Sequence, residues 1–177
     1  MLVIVNIPPL PGYLTVSPTF GTELSTIFTL SASQWQDNDL PLAFQFGFIS
    51  ASATFIAVSD RLELTFTTTQ LPARVRSHSS GLYTNMTVVV YVWDVYDSNN
   101  TDSRDVLVRP TESSIQTQYN SLTTQISAYS EDPRLIRQLL SVYSTSLNHI
   151  DCSLAPDCTA LHRADCGTTV NTCGGCL

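Results

Sequence analysis

Cys173-Gly174-Gly175-Cys176 sets two thiols two residues apart. A pair at that spacing does redox chemistry when the first cysteine opens a helix after a strand. It holds zinc when a second pair lies close by. Neither context surrounds it: no strand–helix–strand pattern leads into it, and only Cys158, Cys166 and His162 lie near in sequence. The five cysteines of the chain, Cys152, Cys158, Cys166, Cys173 and Cys176, all fall after residue 151. Such density in a loop-like tail predicts a disulfide framework and an oxidising compartment. Five is an odd number, so one thiol is free, bridged to another chain, or paired with a cysteine beyond Leu177. The last reading makes the sequence a segment of something longer. Spacing alone does not choose the pairing.

The remaining polar chemistry also points outside the cell. Asn85-Met86-Thr87 and Asn99-Asn100-Thr101 are acceptor sequences for N-linked glycan. The runs 65–69 and 77–80 offer hydroxyls for O-linked sugar. Asp94, Asp97, Asp102 and Asp105, with Asn99 and Asn100, read as one acidic loop between strands, and Asp37 and Asp39 as a second. Oxygen-rich loops hold calcium. Neither loop has the glycine and closing glutamate of an EF-hand, and Asp and Asn are common turn formers, so no metal site and no cofactor are assigned. His78, His149 and His162 are scattered, and there is no Gly-x-Ser-x-Gly elbow. No catalytic residue is therefore assigned; His149, near the end of an expected helix, suits the helix dipole. Trp93, within an apolar run, is expected in the core, and Trp35 either there or on a sugar-stacking platform.

Composition narrows the class further. The chain has 177 residues, a net charge of −7 and no lysine. An isoelectric point near 4.6 with scattered arginines excludes a nucleic-acid binder, which needs clustered positive charge. No window approaches the ~20 apolar residues of a membrane helix. Met1 to Ile7 is apolar but short, without the basic start of a signal peptide.

Apolar periodicity then gives the elements that must carry these groups. Leu2 to Val5 is a short β-branched run ended by Pro8-Pro9, suited to completing a neighbouring sheet by strand addition. Period-two alternation predicts strands over Tyr13–Val16, Thr26–Ser33, Leu42–Phe48, Ala53–Val58, Leu62–Thr68, Met86–Tyr96 and Asp105–Arg109. Phe28, Leu30 and Ala32 share one face; so do Leu42, Phe44, Phe46 and Phe48, and so do Leu62, Leu64 and Phe66. Met86–Tyr96 is apolar on both faces, the mark of a central strand covered on both sides. Pro18 and Gly21 read as turn punctuation. Many short strands with turn signals between them indicate an antiparallel β-sandwich. After Pro110 the period changes. Ile115, Tyr119, Leu122, Ile126 and Tyr129 form one helical stripe. Asp132-Pro133 caps a second helix bearing Leu135, Ile136, Leu139, Leu140, Tyr143 and Leu147. The two helices should form an antiparallel hairpin joined at Ser130-Glu131.

Residues 8–18 (Pro-Pro-Leu-Pro-Gly-Tyr-Leu-Thr-Val-Ser-Pro), 21–30 (Gly-Thr-Glu-Leu-Ser-Thr-Ile-Phe-Thr-Leu) and 35–42 (Trp-Gln-Asp-Asn-Asp-Leu-Pro-Leu), leading into Phe44-Gln45-Phe46-Gly47, resemble the REJ (receptor for egg jelly) module of polycystin-like surface proteins. The Trp-x-Asp-x-Asp-x-Pro run is the most specific part. The resemblance covers roughly the first hundred and ten residues. It implies an immunoglobulin-like, PKD-related sandwich in a large extracellular protein, serving adhesion or assembly and carrying no catalytic residues. The tail is similar to Cys-rich EGF-like units, although its cysteine intervals of five, seven, six and two residues lack the Cys-x-Cys step of those modules. The expected organisation is a boundary strand or linker over 1–9, the sandwich over 10–110, the helical hairpin over 111–150 and the Cys-rich segment over 151–177. The expected function is a non-enzymatic structural or adhesive unit of a surface glycoprotein or extracellular fibre, such as a coat or flagellar hair. A polycystin-type receptor ectodomain is the alternative, and a secreted hydrolase a lesser one. Expected partners are other protein modules, copies of the chain, and glycans; nucleic acid and membrane spans are not expected.

Overall fold

A computed structural model describes residues 6–73, 83–111, 113–148, 150, 152 and 154–177. The expected boundary strand Leu2–Val5, His78, His149 and the 77–80 hydroxyl run lie outside the described residues. Two sheets face one another. The smaller has the order β1-β3-β6, with β1 at Tyr13–Ser17, β3 at Phe28–Ser33 and β6 at Phe66–Thr69. The larger has the order β2-β8-β7-β4-β5, with β2 at Phe20–Thr22, β4 at Ala43–Ile49, β5 at Phe55–Ala57, β7 at Thr84–Trp93 and β8 at Asn99–Arg109. The expected mainly-β sandwich is therefore present.

Alternation decides what enters the core. Leu14, Phe28, Leu30 and Ala32 point inward from the small sheet. Phe44, Phe46, Phe48, Met86, Val88, Val90, Val92, Val106 and Val108 meet them from the large one. A fully buried side chain of this size contributes about 1.5–3 kcal/mol, so this interleaved layer holds the sheets together.

Three expectations about the strands need correction. First, Phe20–Thr22 is a strand rather than part of a turn, and it runs parallel to β8. The chain leaves the small sheet after β1 and joins the edge of the large one. Gly21 permits this, because a Cβ there would lie 2.6 Å from the Thr26 side chain and 2.7 Å from the Phe28 ring. Second, the 62–68 run is split between the sheets. Leu62 exchanges hydrogen bonds with Phe44 of β4 (2.6 and 3.0 Å), whereas Phe66 onward pairs with β3. The change of sheet costs the segment its phase, and Leu64 (55% exposed) and Phe66 (57%) face outward. Third, β7 is central, but among the described residues no second layer of secondary structure covers its outer face. Val89 is buried there, and Tyr91 and Trp93 are half-buried beneath side chains of β5 and the loop after it.

The helical hairpin forms as expected. Helix α1 spans Ile115–Ala128 with Ser114 as its N-cap; α2 spans Pro133–Leu147, with the Asp132 carboxylate accepting from the amides of Arg134 and Leu135. Helix α2 lies along the seam between edge strands β5 and β6. Val142 enters the sandwich core, Arg137 pairs with Asp60, and the Gln138 side chain donates to the Thr68 carbonyl. A buried carboxylate clamps the far end of the helix. Glu23 accepts from Ser146 Oγ (2.7 Å) and from the amides of Ala73 (2.9 Å) and Thr111 (3.1 Å). Helix α1 buries none of its residues. It leans on α2 through polar contacts, with Gln125 Nε2 and Ser121 Oγ meeting the Tyr143 hydroxyl at 2.7 and 3.1 Å. Most of its expected apolar stripe stays in solvent, with Ile115 71% and Tyr119 54% exposed.

Candidate functional site

At one pole of the sandwich, two loops far apart in sequence meet. One follows β3, where Trp35 is buried and pins the loop to the core. An antiparallel bridge between Leu10 and Gln36 ties the incoming chain to it (Leu10 N to Gln36 O, 2.8 Å). The other is the β7–β8 hairpin turn. Asp94 there is 1% exposed, and its Oδ1 accepts from the amides of Tyr96 (2.8 Å) and Ser98 (3.0 Å). Its Oδ2 accepts from Asn6 Nδ2 at 2.6 Å. Asp37 Oδ1 caps the Asp39 amide (2.9 Å), and the Asp39 carbonyl takes the Val95 amide (3.4 Å). Carboxylate oxygens of Asp37, Asp39 and Asp94 all lie within 4.8 Å of one another. Burial by itself would raise the Asp94 pKa. The hydrogen bonds from Asn6, Tyr96 and Ser98, together with the Arg61 charge, outweigh that and hold it below the ordinary carboxylate value.

The expected single acidic loop is thus dispersed. Only 94–98 is turn, whereas Asp102 and Asp105 lie within β8. Asp102 Oδ2 accepts the Leu14 amide (2.8 Å) across the two sheets, Asp105 accepts from Thr87 Oγ1 (2.7 Å), and Asp97 pairs with Arg61 (2.5 Å). Each of those three serves a structural contact. Asp94 alone of the four joins Asp37 and Asp39. The sequence marks both loops as oxygen-rich, but nothing local joins them, and nothing marked Asn6.

Trp93 also departs from expectation. It sits on the outer face of the large sheet, in a strip of rings. Phe55 reaches across Gly47 to meet Tyr91 edge-on (4.9 Å, 75°), Tyr91 stacks on Trp93 (5.5 Å, 26°), and the Arg61 guanidinium lies 4.7 Å above the Trp93 ring. The physical reason is parity: Val90 and Val92 point inward, so Tyr91 and Trp93 cannot. Trp35, whose position the sequence left open, fills the core.

The glycan acceptors Asn85 and Asn99 are exposed, one near the start of β7 and one at the start of β8. In the tail, Cys152 pairs with Cys166 and Cys158 with Cys173, an interleaved arrangement, and Cys176 is an exposed free thiol. His162 occupies a turn at φ 52° beside this framework. Among the described residues no nucleophile, base and oxyanion donors converge.

Residues 1–141 match the family model of the REJ domain, from before the sandwich, through α1 and into α2. The chain belongs to the REJ family. This REJ chain is also similar to the crystal structure of the PKD1 domain of Vibrio anguillarum Epp, at 14% identity and a TM-score of 0.36, covering 60% of this chain and 100% of that one. No curated relative matches it. The family membership and the two disulfides both accord with an extracellular, non-catalytic module of adhesion or receptor-ectodomain type. Among the described residues no helix is long and apolar enough to cross a membrane.

Proposed function

We propose that this REJ module is a stiff structural and adhesive unit of a larger surface glycoprotein or extracellular fibre. The observation that carries the reading is the clamp between sandwich and hairpin. Val142 in the core and Ser146 on buried Glu23 make the two parts one body. A body of that kind transmits force without hinging at its middle. Helix α1 offers the outward apolar stripe through which copies or neighbouring modules would pack. The exposed Asn85 and Asn99 carry N-linked glycan in this reading, and the Cys-rich segment is a compact EGF-like spacer. The membership in a family of receptor-type modules favours the second reading, an ectodomain presented above a membrane anchor.

Labelling the native material for electron microscopy separates the two. Label repeating along an extracellular fibre or coat is the expected result. Label confined to a detergent-extractable membrane fraction favours the receptor ectodomain, and label in the cytosol contradicts both. Treatment with an N-glycosidase should lower the intact mass in two steps, one lost in Asn85→Gln and the other in Asn99→Gln.

A further inference from the structure

Four side chains at the sandwich pole have oxygens that the fold leaves unsatisfied or close-packed with like charge. We propose that Asn6, Asp37, Asp39 and Asp94 form a calcium site that fastens residues 6–10 to the pole. Three carboxylates within 4.8 Å repel one another unless a cation lies between them. Arg61 is not placed to be that cation. Its guanidinium hydrogen-bonds the Asp97 carboxylate and the Asp94 carbonyl while lying over Trp93.

The second observation is independent of the charge count. Asp37 Oδ2 and Asn6 Oδ1 are wholly withdrawn from solvent and have no hydrogen-bond donor. A buried acceptor without a donor costs about 1–3 kcal/mol, and more when it is charged, so native proteins rarely keep one without a purpose. Both of these atoms are the hard oxygen that calcium prefers, and both belong to side chains of this cluster.

The dimensions fit as well. Calcium takes six to eight oxygens at 2.3–2.6 Å, so two oxygens on one ion lie at most about 5 Å apart. The three carboxylates meet that limit. Irregular loops and a carboxamide oxygen suit calcium's flexible shell better than the strict octahedron of magnesium. The benefit falls on the incoming chain. Besides the Asn6–Asp94 contact, that segment is held by the Leu10–Gln36 bridge and by Asn100 Nδ2 donating to the Pro9 carbonyl (3.1 Å). An ion shared by Asn6 and three residues of the sandwich would fix its direction.

The inference goes beyond the adhesive reading and is tested on the chain alone, so either can fail without the other. The full chain is stripped on chelating resin and titrated with calcium chloride by calorimetry, with thermal unfolding followed in parallel. A dissociation constant of about 10⁻⁴–10⁻³ M is expected, the range of extracellular modules. At 10 mM calcium the melting temperature should rise by roughly 3–10 °C, and magnesium should do far less. Asp37→Asn should weaken binding at least tenfold with unchanged circular dichroism, and Asp39→Asn provides a second variant should the first fail to fold. Asp105→Asn, outside the cluster, should bind as the parent does. No binding heat and no thermal shift up to 10 mM calcium, or unchanged affinity in the folded Asp37 or Asp39 variant, overturns the proposal.

Discussion

Glu23 shows how one residue can decide the integrity of this molecule. Its carboxylate is 5% exposed and accepts from Ala73, Thr111 and Ser146, three points that otherwise belong to a loop, the end of the sandwich and the last turn of α2. Glu23→Gln turns one acceptor oxygen into a donor facing a donor. The expected loss is about 1–3 kcal/mol, read as a lower midpoint in urea unfolding; an unchanged midpoint would show that the clamp contributes nothing. Asp94 is the matching residue at the opposite type of contact. Its folded pKa is depressed, so the stability it contributes is present above the unfolded carboxylate pKa, about 3.9, and is lost as pH falls through the lower folded value. In metal-free protein the Asp94 contribution should therefore hold from neutral pH down to roughly pH 4 and fall away below that. Asp94→Asn should flatten part of the fall in melting temperature measured between those values and pH 2. Sequence reading marks Asp94 only as one member of an oxygen-rich loop and does not single out Glu23. The burial of Glu23 follows from the unforeseen strand β2, which carries it beneath the helix.

At the scale of elements, the aromatic strip on the large sheet shows a glycine chosen for close approach. A Cβ on Gly47 would stand 2.3 Å from the Ile56 carbonyl and 2.5 Å from the Phe55 ring. Gly47→Ala must push that ring off Tyr91 or bend β5 away from β4. The expected cost is about 1–3 kcal/mol. A double-mutant cycle between Phe55→Leu and Tyr91→Leu should give a coupling of about 0.5–1.5 kcal/mol in the parent background. In the Gly47→Ala background it should be close to nil. The element scale is also where sequence reading worked best. The inward phases of β3 and β4 are as the alternation indicates, because a single uninterrupted strand keeps its parity. It fails at 62–68, where the chain changes sheets midway and the parity resets. It fails again at Trp93, where hydrophobicity alone predicts the core but Val90 and Val92 already hold the inward phase. Helices α1 and α2 were legible from their caps and period, but the period does not reveal that α2 alone finds the core.

For the molecule as a whole, what was legible and what was not divides along sequence distance. The REJ motif Trp35-x-Asp37-x-Asp39-x-Pro41 is local and could be read directly. The pole it builds needs Asp94 from the β7–β8 turn, far off in sequence, and Asn6 from the entry, and pairing across such separations is set by topology rather than by neighbours. The same holds for the clamp at Glu23, and for the tail, where spacing left the pairing of Cys152, Cys158, Cys166 and Cys173 open. The central claim is mechanical: sandwich and helical hairpin make one stiff extracellular body. Pulling single molecules between handles placed at residue 6 and at residue 148 tests it most directly. The account predicts a cooperative rupture in which the hairpin and sandwich give way together, at a force lowered by Glu23→Gln. Extension of the hairpin at low force, well before an unchanged sandwich event, would contradict it.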